Sequence, residues 1–414
     1  LPDDTFELSL DEMVHGGQAL GRHAGRAIFV PYAIPGERIV ARVTEDRGRY
    51  AFAEVVQVLE PSPHRVTPRC PHFGPGRCGG CHFQHVEYAA QPGYKRDVVV
   101  DQFRRIGGFT EPLVHPTIPS PDAWAYRNHA TFHVDEARNL CYVGTDNATL
   151  IPIEECHIIR PELLDLFHEL DFDGITGLDR VRLQVGSEGD RMVVLSTGDD
   201  DPPELEVTMP VSVNFLLSDN EPVNLVGSSH VSYTVRGRTF RVTAGGFFQV
   251  NLPQAEALVD LVLDELALSG HETVLDLYAG VGLFTAFLAE RAGLVTSVES
   301  YPPAVTDADM NLADLDNVDL IEGTVEDVLP ELVERYDAAV LDPPRTGVER
   351  HALDALAALA PHTLIYVSCE PSTLARDAKR LVQKGYHLVD VTPVDMFPQT
   401  YHIECVAHFT HPAR

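Results

Sequence analysis

Polar residues that end apolar runs mark the places in this chain where chemistry could occur. Leu364-Ile365-Tyr366-Val367-Ser368 is such a run; it stops at Cys369, and Pro371 then opens a helical stretch, residues 373–383. In open α/β sheets the carboxyl ends of strands face the ligand crevice, so a thiol here stands where a nucleophile would. The alternative, a small buried hydrophobe, is open on this residue alone. Its partners decide. Glu404 lies where a loop enters an apolar strand, and period-two alternation turns Cys405 to the opposite face, into the core. Val340-Leu341-Asp342-Pro343-Pro344-Arg345 runs into a stiff Pro-Pro corner that aims Asp342 at the crevice. A thiol and a base so placed meet the needs of addition–elimination chemistry on a conjugated ring, of which alkylation of uracil at C5 is one case. Thiolate addition at C6 makes C5 nucleophilic, and a base then removes the C5 proton so that the thiol can leave.

A second constellation is Cys70-x7-Cys78-x2-Cys81, a metal-type spacing in which Gly79-Gly80 lets the backbone fold back towards an ion. Cys156 or Cys141 could supply a fourth ligand, and spacing alone does not separate zinc from iron and sulfur. Seven cysteines, unevenly placed, point to metal or catalysis rather than to a disulfide framework.

Residues 273–278 read as a buried strand, 283–291 as a helix and 294–298 as a second strand, with the turn Asp276-Leu277-Tyr278-Ala279-Gly280-Val281-Gly282 between the first two. The turn lacks the three-glycine dinucleotide fingerprint. Glu299 follows about twenty residues on, where an acid accepts hydrogen bonds from ribose hydroxyls. Asp276, Glu299 and the short glycine turn resemble the S-adenosylmethionine pocket of class I methyltransferases. Arg345 stands where amino-directed methyltransferases carry a stacking aromatic, which speaks against an exocyclic amine target.

These residues need a scaffold. After about residue 245, strand and helix patterns alternate, beginning with an amphipathic helix at 252–268, and predict a doubly wound parallel sheet of Rossmann-like α/β class. Before residue 60, strand-like runs at 6–10, 18–20, 26–30, 37–43 and 51–58, broken by Gly and Pro, predict a small closed barrel of the OB type. Pro61-Ser62-Pro63-His64 marks a boundary. A helical stretch at 88–106 and strand-like runs through about residue 241 give an α+β middle, with 199–203 a polar loop. The expected units are 1–60, 61–242 and 243–414.

The chain carries 62 acidic against 31 basic residues, a net charge of -31, and lysine only at Lys95, Lys379 and Lys384. Such acidity opposes phosphate binding at low salt. At about 1 M salt the Debye length falls to about 3 Å, and only local contacts count. The composition suits a salt-accumulating cytosol. No apolar run reaches transmembrane length and no export signal precedes Leu1, so a soluble cytoplasmic protein is expected.

With its motifs in order, the chain resembles the RNA uracil-C5 methyltransferase family over nearly its whole length. Gly246-Phe247-Phe248-Gln249-Val250-Asn251 resembles the motif whose Gln reaches cofactor and base, and residues 276–282 the cofactor loop, with Tyr278 at its aromatic position and Gly280 in its turn. Asp342-Pro343-Pro344-Arg345 resembles the motif at the cofactor and flipped base, Ser368-Cys369 the nucleophile motif, and Glu404 the general base. The resemblance implies S-adenosylmethionine as cofactor and a uridine in transfer or large-subunit ribosomal RNA as target, flipped out of the stack. It also implies a [4Fe-4S] cluster on Cys70, Cys78, Cys81 and Cys156, Cys141 being structural, and an N-terminal TRAM domain that binds RNA. In that barrel Arg22, His23, Arg26, Arg38, Arg42, Arg47 and Arg49 are expected to form a basic surface. Phe29, Tyr32, Tyr50 and Phe52 are expected in its core rather than on a stacking platform. A monomer without an obligate protein partner is expected. Glu370, Ala279 and Gln399 depart from the family's usual Asn or Asp, Cys and His. Two other readings are a radical methylthiotransferase, whose Cys-x3-Cys-x2-Cys triad is missing, and a non-catalytic RNA-binding or RNA-folding protein, which would not require Cys369 and Glu404.

Overall fold

The structure, a computed structural model, describes residues 5–172, 174–198 and 200–412; of the loop expected at 199–203, Asp199 lies outside the described residues. Strands β1 (Thr5–Val14), β2 (Gln18–His23), β3 (Arg26–Val30), β4 (Arg38–Asp46) and β5 (Tyr50–Glu60) close into a barrel in the order β1-β2-β3-β5-β4. Alternate residues such as Leu8, Leu10, Ile28, Val30 and Ile39 fill it. Glu37, expected inside the fourth strand, lies just before β4 and is buried. It accepts hydrogen bonds from the backbone N–H groups of Ile34 and Ser62 and from both arms of Arg65, which ties the barrel to the segment that follows.

Two expectations about the barrel surface are overturned. Residues 5–60 carry eight acidic and six basic side chains. Arg38 and Arg42 of β4 pair with Glu60 and Glu54 of the neighbouring β5, Arg26 pairs with Asp46, and Arg47 with Glu45 two residues back, so acidic side chains satisfy these arginines instead of leaving a basic face. Phe29, Tyr50 and Phe52 are not in the core. Their rings pack on one another at 5.6 to 5.8 Å on the outside of the barrel, with Tyr50 40 % exposed. Tyr32 instead packs against Phe73 and His85.

Helix α1 (Gln91–Gln102) precedes a seven-stranded sheet of β6 (His129–Val134), β7 (Leu140–Val143), β8 (Leu150–Pro152), β9 (Leu178–Val185), β10 (Arg191–Thr197), β11 (Ser212–Leu216) and β12 (Pro222–Val226). Helix α2 (Pro161–Glu169) covers it through Leu163 and Leu166. A hairpin of β13 (His230–Val235) and β14 (Arg238–Thr243) then leads into the last sheet.

That sheet holds β15 (Thr273–Leu277), β16 (Leu294–Glu299), β17 (Val318–Glu322), β18 (Ala338–Leu341), β19 (Thr363–Ser368), β20 (His387–Val394) and β21 (Glu404–Thr410), in the order β17-β16-β15-β18-β19-β21-β20. Between them run α3 (Leu252–Leu266), α4 (Leu283–Ala289), α5 (Pro302–Asn311), α6 (Val325–Val328), α7 (Arg350–Leu359) and α8 (Pro371–Gln383). Apolar residues of α3, α4 and α5 pack on one face, and those of α7, α8 and α1 on the other. The sheet is doubly wound but not wholly parallel, because β21 runs antiparallel to both β19 and β20. Only the nine residues 395–403 join β20 to β21. A parallel crossover needs about a dozen or more, so the short loop forces the reversal.

Candidate active site and thiol cavity

The reversal of β21 brings its first residue to the end of the sheet where β18 and β19 finish. Ser368 pairs with Cys405, so one further step of the register sets Cys369 opposite Glu404. Directly opposed residues have Cβ atoms about 4.5–5.5 Å apart. Asp342 leaves β18 beside them, since Leu341 pairs with Tyr366. Glu404 is 3 % exposed, and burial, reinforced by the charge of Asp342, holds its carboxyl well above the usual range. Burial pushes Asp342 up to about 7. The Cys369 thiol is pushed up to about 11, first by burial and then by the charges of Glu404 and Asp342. Arg345 opposes both shifts through its positive charge. Two carboxyls and a thiol therefore share a largely buried site with the Arg345 guanidinium. The sequence marks Arg345 only as a missing aromatic; its charge is what the site uses.

The glycine turn builds the adjoining recess. Thr285 Oγ1 donates to Asp276 Oδ2 at 2.5 Å, while Asp276 Oδ1 is buried without a partner. Burial pushes Asp276 up to about 7, with the charges of Asp342 and Glu299 adding to the shift. Glu299 is held by backbone N–H groups of Gly280, Ser300 and Tyr301 at 2.7 to 2.8 Å. Gly280 has φ +58°, and a Cβ there would point into open space. Tyr278 also has positive φ, +62°, and its hydroxyl donates to Glu326 Oε1 at 2.9 Å, away from Asp276 and towards α6.

Gln249 sits in the loop after β14, where its carbonyl accepts from Asn128 Nδ2 at 2.9 Å. Phe248 anchors this loop by stacking on Tyr233 at 4.9 Å, and Arg182 Nη2 donates to Gly246 O at 2.9 Å. Asn251 Nδ2 reaches Ser120 Oγ at 3.1 Å and Met396 O at 3.3 Å, so the loop is tied to the segment preceding Glu404. Phe247, between these anchors, is 66 % exposed. The double aromatic contains this residue but not the sign of which ring turns outwards.

Cys70, Cys78, Cys81 and Cys156 line one cavity of about 260 Å³, whose walls include Arg127 and Tyr142. Burial and the charges of the other cysteines raise the Cys78 thiol to about 11, and Cys70 and Cys81 rise for the same causes. Cys141 is fully buried on β7 and donates to Asn139 O, outside the lining. A Cβ at Gly79 would crowd Val143 O at 3.0 Å, and the next N–H, from Gly80, points at Cys78 Sγ at 3.3 Å.

Several supporting residues carry no motif. Lys95, fully buried on α1, donates through Nζ to Asp395 Oδ1 at 2.6 Å, Phe397 O at 3.0 Å and His402 O at 2.9 Å. Gln91 clasps Gln399 through two bonds of 3.0 Å. Together they brace the loop that delivers Glu404. Glu370 caps α8, accepting from Ser372 N and Oγ, and lies 3.2 Å from His15 Nε2 of the barrel. The unusual Glu beside the nucleophile is thus a helix cap long enough to meet the barrel as well.

A sheet of this order, with polar groups at its strand mouths and a barrel in front, is a class I methyltransferase fold with an N-terminal TRAM barrel. The TRAM domain family matches residues 4–56, and the tRNA (Uracil-5-)-methyltransferase family matches residues 229–411. An RNA methyltransferase of Streptomyces avermitilis is 36 % identical over 98 % of both chains, and one of Halalkalibacterium halodurans 35 % identical over 98 % of this chain and 96 % of its own. This chain belongs to that RNA methyltransferase family. Its fold is similar to that of the Pyrococcus abyssi tRNA (uracil-54, C5)-methyltransferase solved with S-adenosyl-L-homocysteine, with a TM-score of 0.75, 24 % identity, and coverage of 98 % of this chain and 100 % of that one.

Proposed function

We propose that this protein transfers a methyl group from S-adenosylmethionine to C5 of a uridine in transfer or large-subunit ribosomal RNA. The observation that carries the reading is the placement of Cys369 opposite Glu404 across β19 and β21, at the strand mouths beside Asp342. The unpartnered Asp276 Oδ1, the open space at Gly280 and the fixed carboxylate of Glu299 fit the cofactor. When bound, it supplies an electrophilic methyl on a sulfonium.

Cys369 Sγ forms a bond to C6 of the uracil, which moves electron density to C5 and O4. After C5 has gained the methyl, Glu404 takes the C5 proton, and the C6–S bond breaks to return the thiolate. Arg345 favours the thiolate and the ionised carboxylate, and Asp342 and Gln249 hold base and cofactor. Phe247 and the outward trio Phe29, Tyr50 and Phe52 offer rings for unstacked bases. By this reading residues 1–60 contact RNA, 61–242 hold the thiol cavity and 243–414 perform the transfer.

The thiol cavity suits a [4Fe-4S] cluster. Its four cysteines share one lining, and burial with mutual charge raises Cys70, Cys78 and Cys81. The positive charge of a cluster core would offset the burial of four thiolates. Its role is structural, because the transfer needs no electron.

The test is nucleoside analysis of unmodified RNA after incubation with methyl-labelled S-adenosylmethionine. Label in 5-methyluridine is expected with the native protein and none with Cys369→Ala, which still binds S-adenosylmethionine. Label in another nucleoside, or turnover by Cys369→Ala, overturns the reading.

A further inference from the structure

Glu265 near the end of α3, Asp390 on β20 and His408 on β21 converge away from Cys369, four residues along β21 from Glu404, roughly 13 Å. One potential ligand atom from each lies within 4.8 Å of the others. Asp390 and His408 are register partners, next to an irregularity in the pairing of β20 with β21. Asp390 is 8 % exposed and its Oδ1 is buried with no hydrogen-bond partner. Its Oδ2 lies 3.4 Å from His115 Nε2. Neither ring nitrogen of His408 makes a hydrogen bond, although Nδ1 is 2.8 Å from Glu265 Oε2; the contact is close but misaligned.

Leaving such atoms buried without a hydrogen bond is costly. A cation between them removes that cost. Two carboxylates and an imidazole are the oxygen and nitrogen donors of first-row divalent ions, whose bonds of about 2.0–2.2 Å set neighbouring donors about 3–4 Å apart. The geometry points to a second metal site: Glu265, Asp390 and His408 bind a divalent transition-metal ion, and His115 orients Asp390 by holding its second oxygen. The ion would pin α3 to the hairpin at the sheet edge, and it is independent of both the thiol cavity and the methyl-transfer reading.

The probe is zinc added to chelator-stripped full-length protein, followed by metal analysis and thermal melting. The native chain is expected to bind one zinc more than the Asp390→Asn/His408→Gln variant, and only the native melting temperature should respond to that equivalent. His115→Ala, at a position 43 % exposed in its side chain, should weaken zinc about tenfold while leaving the metal-free melting temperature unchanged. Equal zinc content in native and double variant overturns the site. If the double variant does not fold, unchanged zinc affinity in His115→Ala overturns it instead.

Discussion

Cys369 is held chiefly as a thiol, because burial and its two acidic neighbours push it up to about 11. Below that value the thiolate fraction rises about tenfold per pH step. Glu404 is also held above its ordinary range, so it too gains its working, ionised form as pH rises. Both signs agree: kcat/KM is expected to climb steeply between about pH 7 and 9, and Arg345→Met to displace the profile to higher pH by removing a cation that favours both ions. Initial rates across that range check this; a flat profile contradicts it. The residue types at the strand ends were legible in sequence. Arg345 was not, because its partners Cys369 and Glu404 lie on strands whose relative direction sequence periodicity does not encode.

At the scale of elements, the site depends on a reversed strand and a braced loop. Alternation of apolar runs made the strands and helices of the last sheet readable, yet the reversal of β21 follows from the shortness of the loop 395–403, and its bracing from α1, some three hundred residues earlier. Lys95 was visible only as one of three lysines. Breaking its buried pair with Asp395 by Lys95→Met leaves an uncompensated acid, which costs about 3–5 kcal/mol. Chemical denaturation should show that loss, and kinetics on the folded variant should show kcat falling with KM for S-adenosylmethionine near its native value. A variant as stable as the native chain contradicts the bracing role.

Over the whole molecule, the net charge of -31 leaves RNA few places to dock. The barrel arginines looked like such a place in sequence, but the folded barrel brings acidic partners to Arg26, Arg38, Arg42 and Arg47. The aromatic trio lies on that same surface. The spacing of Cys70, Cys78 and Cys81 was legible, whereas Cys156 came from the family resemblance; the cavity joins these four and leaves Cys141 outside. Anaerobically purified protein is expected to contain four iron and four sulfide per chain, with Cys78→Ser losing the iron. Zinc retained on these thiols in the Asp390→Asn/His408→Gln variant contradicts the cluster.

The central claim is that Cys369 and Glu404 act in succession on one uracil. It is tested most directly by incubating Glu404→Gln with RNA and S-adenosylmethionine, isolating protein–RNA adducts on denaturing gels, and sequencing the digested adduct by mass spectrometry. The mechanism predicts a peptide in which Cys369 carries a uridine already methylated at C5, because the variant completes addition and methyl transfer but not proton removal. No adduct, or one attached through another residue, contradicts it.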